Sequence, residues 1–162
     1  MIEPFLKGLL QALSAAGPLE TVKLVVSILG LLGLLGLVAT LISMRASVCN
    51  QIYARWQALL FKYGDTAGAH QTLSEKRYEP GISRPAGHHI AVAYLNLFEE
   101  AFHYRNSRIL IFWHLLPKPF WVSIENSMRK QFKQYPYLQS LWVAEHSSWS
   151  EDFNAFVRLK IL

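Results

Sequence analysis

The stretch that decides the fold is LVVSILGLLGLLGLVATLISM at residues 24–44, which contains neither a charge nor a proline and is bounded by Lys23 and Arg45. At ~1.5 Å per residue, a helix of this length crosses a hydrocarbon core of about 30 Å. The alternative is a fully buried core helix, which a chain of 162 residues hardly has the bulk to enclose. We therefore predict one transmembrane helix. We expect it to stay in the mature protein, because the run is too long for a signal peptide and no small-residue cleavage site follows it.

The composition restricts the remaining classes of protein. With 52% hydrophobic residues, 17% charged residues, 9 Gly and 7 Pro, long disorder and collagen-like structure are excluded. The single cysteine, Cys49, excludes an intramolecular disulfide and any multi-cysteine zinc or iron–sulfur site. We expect one compact domain in addition to the membrane segment.

Patterning divides the chain into four segments. Residues 1–17 alternate apolar and polar faces at helical spacing, which predicts an amphipathic helix lying in the headgroup region. Residues 18–63 form the transmembrane helix and continue it as a stalk. Residues 64–87 are a polar connector rich in Pro and Gly, with one short helix begun by a capping box at Thr72. Residues 88–162 form a small cytosolic helical domain, so the predicted fold class is all-α.

Apolar residues recur at helical spacing in the last segment. Helices are predicted at residues 88–105, 120–134, 136–146 and 151–159, with two sets of inward side chains: Ile90, Tyr94, Leu97, Phe98 and Ala101 on the first helix, and Trp121, Ile124, Met128 and Phe132 on the second. Residues 108–116 are an apolar run that fits either a helix or a strand. A domain of this size buries little core alone and usually needs neighbours.

Charge placement predicts the orientation of the span. Lys7 and Lys23 are balanced by acidic residues before the span, so the whole net charge of +5 lies after it. Near the span, these two bases face Arg45, Arg55 and Lys62 on the other side, and the richer side stays in the cytoplasm. We predict a single-pass protein with its N-terminus outside and its C-terminal domain cytoplasmic.

Small residues recur every third position inside the span, at Ser27, Gly30, Gly33, Gly36 and Ala39. Small side chains let helix backbones approach closely in lipid, which predicts a homo-oligomer. A period of three drifts by ~60° per step around a helix, so this surface can serve two neighbours in a ring. The alternative is that glycine is simply common in membrane helices.

Polar side chains in the span are Ser27, Thr40 and Ser43, which are the candidate pore-lining residues. The other residues of the span are apolar, and a pore lined by apolar residues is closed to ions by dewetting. Rotation or widening that exposes the hydroxyls is the predicted opening step.

Aromatic spacing carries the recognisable pattern of the C-terminal part. It comprises YLNLFEE at residues 94–100, Trp121, the Tyr135-Pro136-Tyr137 turn, Trp142, Trp149, and F-x-x-F-V at residues 153–157. The pattern resembles small single-span bacterial membrane proteins of uncharacterised families with a Trp-rich helical cytosolic domain. The layout is similar to that of the membrane accessory proteins of RNA-targeting type VI-B CRISPR systems. That resemblance implies a ring-shaped pore in the bacterial inner membrane, a role in antiviral defence and a CRISPR effector protein as partner.

Arg108 and His114 have the R-x(4–6)-H spacing and resemble the motif of HEPN ribonucleases. In that family two motifs meet across a dimer, with the His as acid/base and the Arg placed to stabilise phosphate charge. Ile109 departs from the polar residue that the family prefers next to the Arg. Three interpretations stay open: an active nuclease, a degenerate HEPN-like fold, and a structural role for both residues.

Basic residues form a second candidate site if two helices pack side by side: Arg105, Arg108, Arg129, Lys130 and Lys133. Such a patch binds RNA or a nucleotide messenger through phosphate contacts. Attraction to anionic lipid and a favourable interaction with a helix dipole are the alternatives.

Glu99, Glu100 and His103 have the spacing used by carboxylate di-iron bundles, which need a second such pair on facing helices. The sequence lacks that second pair, so a solvated helix face is the preferred interpretation. His88 and His89 lack a partner at metal-ligand spacing and are interpreted as a loop and cap. We predict no metal and no cofactor. The sequence has no G-x-S-x-G motif, P-loop or dinucleotide fingerprint, so we predict a non-enzymatic protein, with the HEPN interpretation of Arg108 and His114 as the open alternative.

Overall fold

The computed structural model describes residues 7–8, 11, 17–82, 84–110 and 113–162. Within the predicted amphipathic helix 1–17, Lys7, Gly8 and Gln11 are helical and exposed, and the remaining residues up to position 16 lie outside the described part. The chain divides into two compact units, Met1–Ser43 and Met44–Leu162.

The described residues form six α-helices and one two-stranded ladder, which confirms the all-α prediction. The elements in chain order are α1 Pro18–Asp65, α2 Ala69–Glu75, α3 His88–Asn106, β1 Arg108–Leu110, β2 Trp113–His114, α4 Lys118–Gln134, α5 Pro136–Ala144, a 3₁₀ turn His146–Ser148, α6 Glu151–Phe156 and a terminal π-helix Val157–Ile161. Helices α2, α3, α4 and α5 pack on one another, and the terminal π-helix packs against α4.

Helix α1 is one continuous element of 48 residues, as the unbroken helical spacing predicts. Its apolar part is long and apolar enough to cross a membrane, with a mean hydropathy of 2.6 over a window of which only 6% is buried. A core helix of a soluble protein is mostly buried, so this low value argues against that alternative.

Beyond Met44 the same helix contributes side chains to the hydrophobic core of the second unit. Ile52 and Leu59 are buried there. The Trp56 ring lies 5.8 Å from Tyr94 and 5.9 Å from Phe98, centre to centre. The part predicted as a stalk is therefore an integral part of the helical domain.

The inward faces predicted for α3 and α4 are confirmed. All nine predicted side chains are buried: Ile90, Tyr94, Leu97, Phe98, Ala101, Trp121, Ile124, Met128 and Phe132. Helix α4 begins at Lys118 because Pro117 precedes it and Pro119 fits its first turn, where a missing N–H is tolerated.

Helix α2 begins earlier than predicted, and the capping box at Thr72 is wrong. Gly68 occupies the N-cap position with φ +75°, and the buried Thr72 donates its backbone N–H to the Gly68 carbonyl at 2.9 Å. Gly87, at φ +93°, precedes α3 and lies against α2: a Cβ there would be 3.0 Å from the Ala69 Cα. Glycine is the residue that permits this close crossing.

The apolar run after α3 is a strand pair. Strands β1 and β2 are antiparallel, with Arg108 opposite His114 and Leu110 opposite Trp113. Two helix ends also differ from prediction: α5 ends at Ala144, and the last predicted helix divides into α6 and the π-helix.

Candidate functional site

Three basic side chains from two elements line one open groove of about 650 Å³ on the helical domain. Arg129 and Lys133 lie one turn apart on α4, and Lys160 is on the π-helix. The other lining residues are Phe132, Gln139, Leu159, Ile161 and Leu162. All three cations are exposed, so their charge is available to an anion in solvent.

The groove exists because α4 buries one face. Phe132 is buried and its ring lies 6.3 Å from that of Trp142 on α5. Residues at i and i+4 share a helix face, so fixing Phe132 inward leaves Arg129 and Lys133 beside it at the rim. Lys133 also lies in the last turn of α4, where the helix dipole favours a cation.

One of the three cations already has a partner. The Arg129 Nη2 donates to the Glu125 Oε1 at 2.6 Å, one helical turn away. Lys133 and Lys160 supply the remaining positive charge, as compact ammonium groups that suit a phosphate as point charges. The groove therefore presents two lysine ammonium groups beside an arginine whose charge is shared with Glu125.

Only two of the five basic residues predicted to form one patch line the groove. Arg129 and Lys133 line the groove, whereas Lys130 is exposed on the neighbouring face of α4 and does not line it. Arg105 is half-buried and donates its Nη1 to the Leu116 carbonyl at 3.4 Å, which is a structural contact. Arg108 is exposed on β1.

Arg108 and His114 are brought together as directly opposed residues of the ladder. Opposed residues have Cβ atoms about 5 Å apart, so the two side chains are near neighbours. The His114 Nδ1 is buried and has no hydrogen-bond partner among the described residues. Both residues lie on strands, and the HEPN resemblance stays a hypothesis. A catalytic centre made of two such motifs would require a second copy of the chain.

The carboxylates of α3 have structural partners. The Glu99 Oε1 accepts the Ser150 backbone N–H at 2.7 Å, and His103 Nε2 lies 3.2 Å from the Ser150 Oγ. Glu100 is paired with Arg55. Among the described residues, no group of three or more His, Cys, Asp or Glu is placed to hold a metal ion.

A polar cluster that was not predicted from the sequence lies where the loop before α3 meets α5. His88 and Tyr137 are buried in it, and Tyr78 and Glu145 are half-buried. The His88 Nδ1 is 3.0 Å from the Tyr137 hydroxyl, and the Tyr78 hydroxyl donates to Glu145. The Tyr78 ring stacks on His88 at 5.6 Å. Burial lowers the pKa of His88 and raises the pKa of Tyr137 to about 12.

A usable signal for this cluster was present in the sequence. The buried positions 91, 95, 98 and 102 of α3 recur at steps of three and four, and one further step toward the N-terminus gives His88. The pattern thus predicts His88 as a core residue. The cluster borders a cavity of about 560 Å³, lined in part by Lys76, Arg77 and Tyr78.

The small and polar residues of the apolar segment are all exposed: Ser27, Gly30, Gly33, Gly36, Ala39, Thr40 and Ser43. A Cβ placed on any of the three glycines would meet no atom within 4 Å among the described residues. The Ser27 hydroxyl donates to the Lys23 carbonyl at 2.9 Å, and the Thr40 hydroxyl to the Gly36 carbonyl at 2.9 Å. Their donors are therefore satisfied within the helix, as membrane helices require.

No protein-family model, curated protein or solved structure matches this chain significantly.

Proposed function

We propose that this chain is a single-span membrane protein that self-associates through residues 24–44. The observation that supports this proposal is an apolar helical window of which 6% is buried. Val26 and Leu29, for example, have exposed fractions of 63% and 62%. Leaving such surface in water costs ~25 cal/mol per Å², so lipid and sister helices are the natural cover.

Membrane fractionation tests the span. We expect the expressed chain to remain in the pellet after alkaline carbonate extraction and to float with lipid in a density gradient. A chain that is soluble and monomeric without detergent contradicts the proposal.

The open space at Gly30, Gly33 and Gly36 supports self-association. Close helix packing in lipid uses such small positions. Replacing all three with Leu is expected to reduce the oligomer mass measured by size-exclusion chromatography with light scattering in detergent. A matched control enlarges Leu31 and Leu35 to Phe, because both lie ~160° around the helix from Gly33. An unchanged oligomer in the glycine variant contradicts this interface.

The resemblance to type VI-B accessory proteins extends the proposal to a pore in the bacterial inner membrane that acts in antiviral defence. An apolar wall would hold the pore closed by dewetting until the hydroxyl groups of Ser27, Thr40 and Ser43 reach the lumen. Stepwise conductance in planar bilayers, lost in the triple glycine variant, is the expected result. Oligomeric protein that never conducts contradicts the pore, and failure to retain a co-expressed type VI-B effector on purification contradicts that partner.

A second candidate function is binding of RNA or a nucleotide messenger, and the groove lined by Arg129, Lys133 and Lys160 favours it. Phosphate contacts of this kind weaken with salt. We expect a fluorescent single-stranded RNA to bind the detergent-solubilised protein and to bind Lys133→Glu markedly less. Lys130→Glu is the matched control, since it makes the same charge change outside the groove. Equal loss in both variants contradicts a groove site.

The ribonuclease hypothesis rests on Arg108 opposite His114. RNA cleavage by the wild-type protein that is lost in His114→Ala would support it. A wild-type protein that cleaves no RNA ends this hypothesis.

A further inference from the structure

Arg45 and Trp113 form a contact at the end of the apolar segment. The Arg45 guanidinium carbon lies 5.2 Å from the centre of the Trp113 ring, and both residues are half-buried. Arg45 is the first charged residue after residues 24–44. The contact therefore places the Trp113 ring one arginine side chain away from the point where the uncharged run ends.

We propose that Trp113 lies in the headgroup layer of the bilayer that residues 24–44 cross, so that the β1–β2 ladder is a second, interfacial attachment of the helical domain to lipid. This inference rests on the proposed membrane span. The layer between the hydrocarbon core and bulk water is about 5–7 Å thick on each side. An arginine at the end of a span directs its guanidinium to this layer, and the Trp113 ring lies 5.2 Å from that guanidinium carbon.

The chemistry of the two side chains suits that layer. Tryptophan combines a large apolar ring with one N–H donor and concentrates at membrane–water interfaces. Arginine keeps its apolar stem along lipid or protein and directs its charge to phosphate groups. A guanidinium over an indole ring further fixes both groups in one place.

The sequence of the ladder suits contact with lipid. Residues 109–113 read Ile-Leu-Ile-Phe-Trp without a charge, between Arg108 and His114. Pairing of β1 with β2 satisfies the backbone groups on their shared edge, which would otherwise be costly near hydrocarbon. The Leu115 N–H donates to the Ser107 carbonyl at 3.0 Å and the Leu116 N–H to the Tyr104 carbonyl at 3.3 Å, so the ladder is tied to the end of α3.

The test measures tryptophan quenching by brominated lipid. The full chain is reconstituted in vesicles of phosphatidylcholine and phosphatidylglycerol that contain phosphatidylcholine brominated at carbons 6 and 7, near the headgroup. We expect strong quenching of the wild type and loss of most of it in Trp113→Tyr, which keeps an aromatic ring for Arg45. Trp149→Phe is the control, because Trp149 is buried in the helical domain and should not contribute.

A reporter in the span separates the two proposals. Leu34→Trp, made in the Trp113→Tyr background, should be quenched by lipid brominated deep in the chains, at carbons 11 and 12. If it is quenched while Trp113 is not, the interfacial attachment is wrong and the span stands, and a protein surface rather than lipid covers Trp113. If Leu34→Trp is not quenched, both proposals fail.

Discussion

The indole N–H of Trp142 donates to the Oδ1 of Asn154 at 2.9 Å, inside the core of the helical domain. The Asn154 Nδ2 in turn donates to the His146 carbonyl at 2.7 Å and the Trp149 carbonyl at 3.1 Å. One buried amide thus joins α5, the 3₁₀ turn and α6. Each buried polar group that loses its partner costs about 1–3 kcal/mol.

We therefore expect Asn154→Ala to lower the free energy of unfolding by about 2–3 kcal/mol, because it leaves the Trp142 N–H and two carbonyls unpaired. Thermal unfolding of the full chain in detergent measures the change. Asn96→Ala is the control: Asn96 accepts the Trp149 indole N–H at 3.1 Å but is exposed, so water replaces it. Equal effects of the two variants would show that burial of Asn154 does not matter.

Gly87→Ala is expected to destabilise the domain more than Gly81→Ala. Both glycines have positive φ, +93° and +87°, where an alanine costs about 1–2 kcal/mol. Only at Gly87 does the added Cβ meet the Ala69 backbone, and that overpacking adds about 1–3 kcal/mol. Similar losses in a denaturation series would mean that α2 moves away freely.

The stability of the domain should fall as the pH is lowered through about 6.5. Burial, followed by the charge of Arg84, lowers the pKa of His88 from its ordinary value of 6.5. The unfolded chain then binds this proton more readily than the folded one, so acid favours unfolding. The stabilising contribution of neutral His88 is complete above the pKa that this residue has in the unfolded chain. It is lost progressively as the pH falls below that value.

Comparing His88→Gln with His89→Gln at several pH values isolates this effect. The first variant should flatten the dependence of the unfolding midpoint on pH between about 5 and 7. The second should retain it, because His89 is the exposed neighbour. An unchanged dependence in His88→Gln assigns the acid sensitivity to another group.

The orientation predicted from charge is tested by cysteine labelling. In a Cys49→Ser background, Lys160→Cys puts one exposed thiol in the C-terminal domain. We expect no labelling of intact cells by an impermeant maleimide and full labelling after permeabilisation. Labelling of intact cells would contradict the predicted orientation and place the C-terminal domain outside.

Much of the fold was predictable because the spacing of apolar residues along the sequence follows directly from helix geometry. The inward residues of α3 and α4 follow from spacing alone, as does the continuous α1. The ladder was left open because residues 108–116 are a short apolar run, which helix and strand tolerate equally. The capping box at Thr72 failed because Thr72 is a buried residue inside α2, whose N-cap is Gly68.

The candidate sites were less predictable because they depend on which elements meet. Arg129 and Lys133 share a helix face and were named together. Lys160 joins them only through packing of the terminal π-helix on α4, which no local pattern indicates. His88 was assigned to a loop and cap because it lacks a partner at metal-ligand spacing, although the buried spacing of α3 includes it.

The hydroxyls of Ser27 and Thr40 give their protons to carbonyls of their own helix. What remains for any water reaching them is oxygen lone pairs, which attract positive ions and repel negative ones. The two hydroxyls lie ~140° apart around the helix. If sister copies enclose a channel that either of them lines, its reversal potential in a potassium chloride gradient should therefore report a preference for the cation.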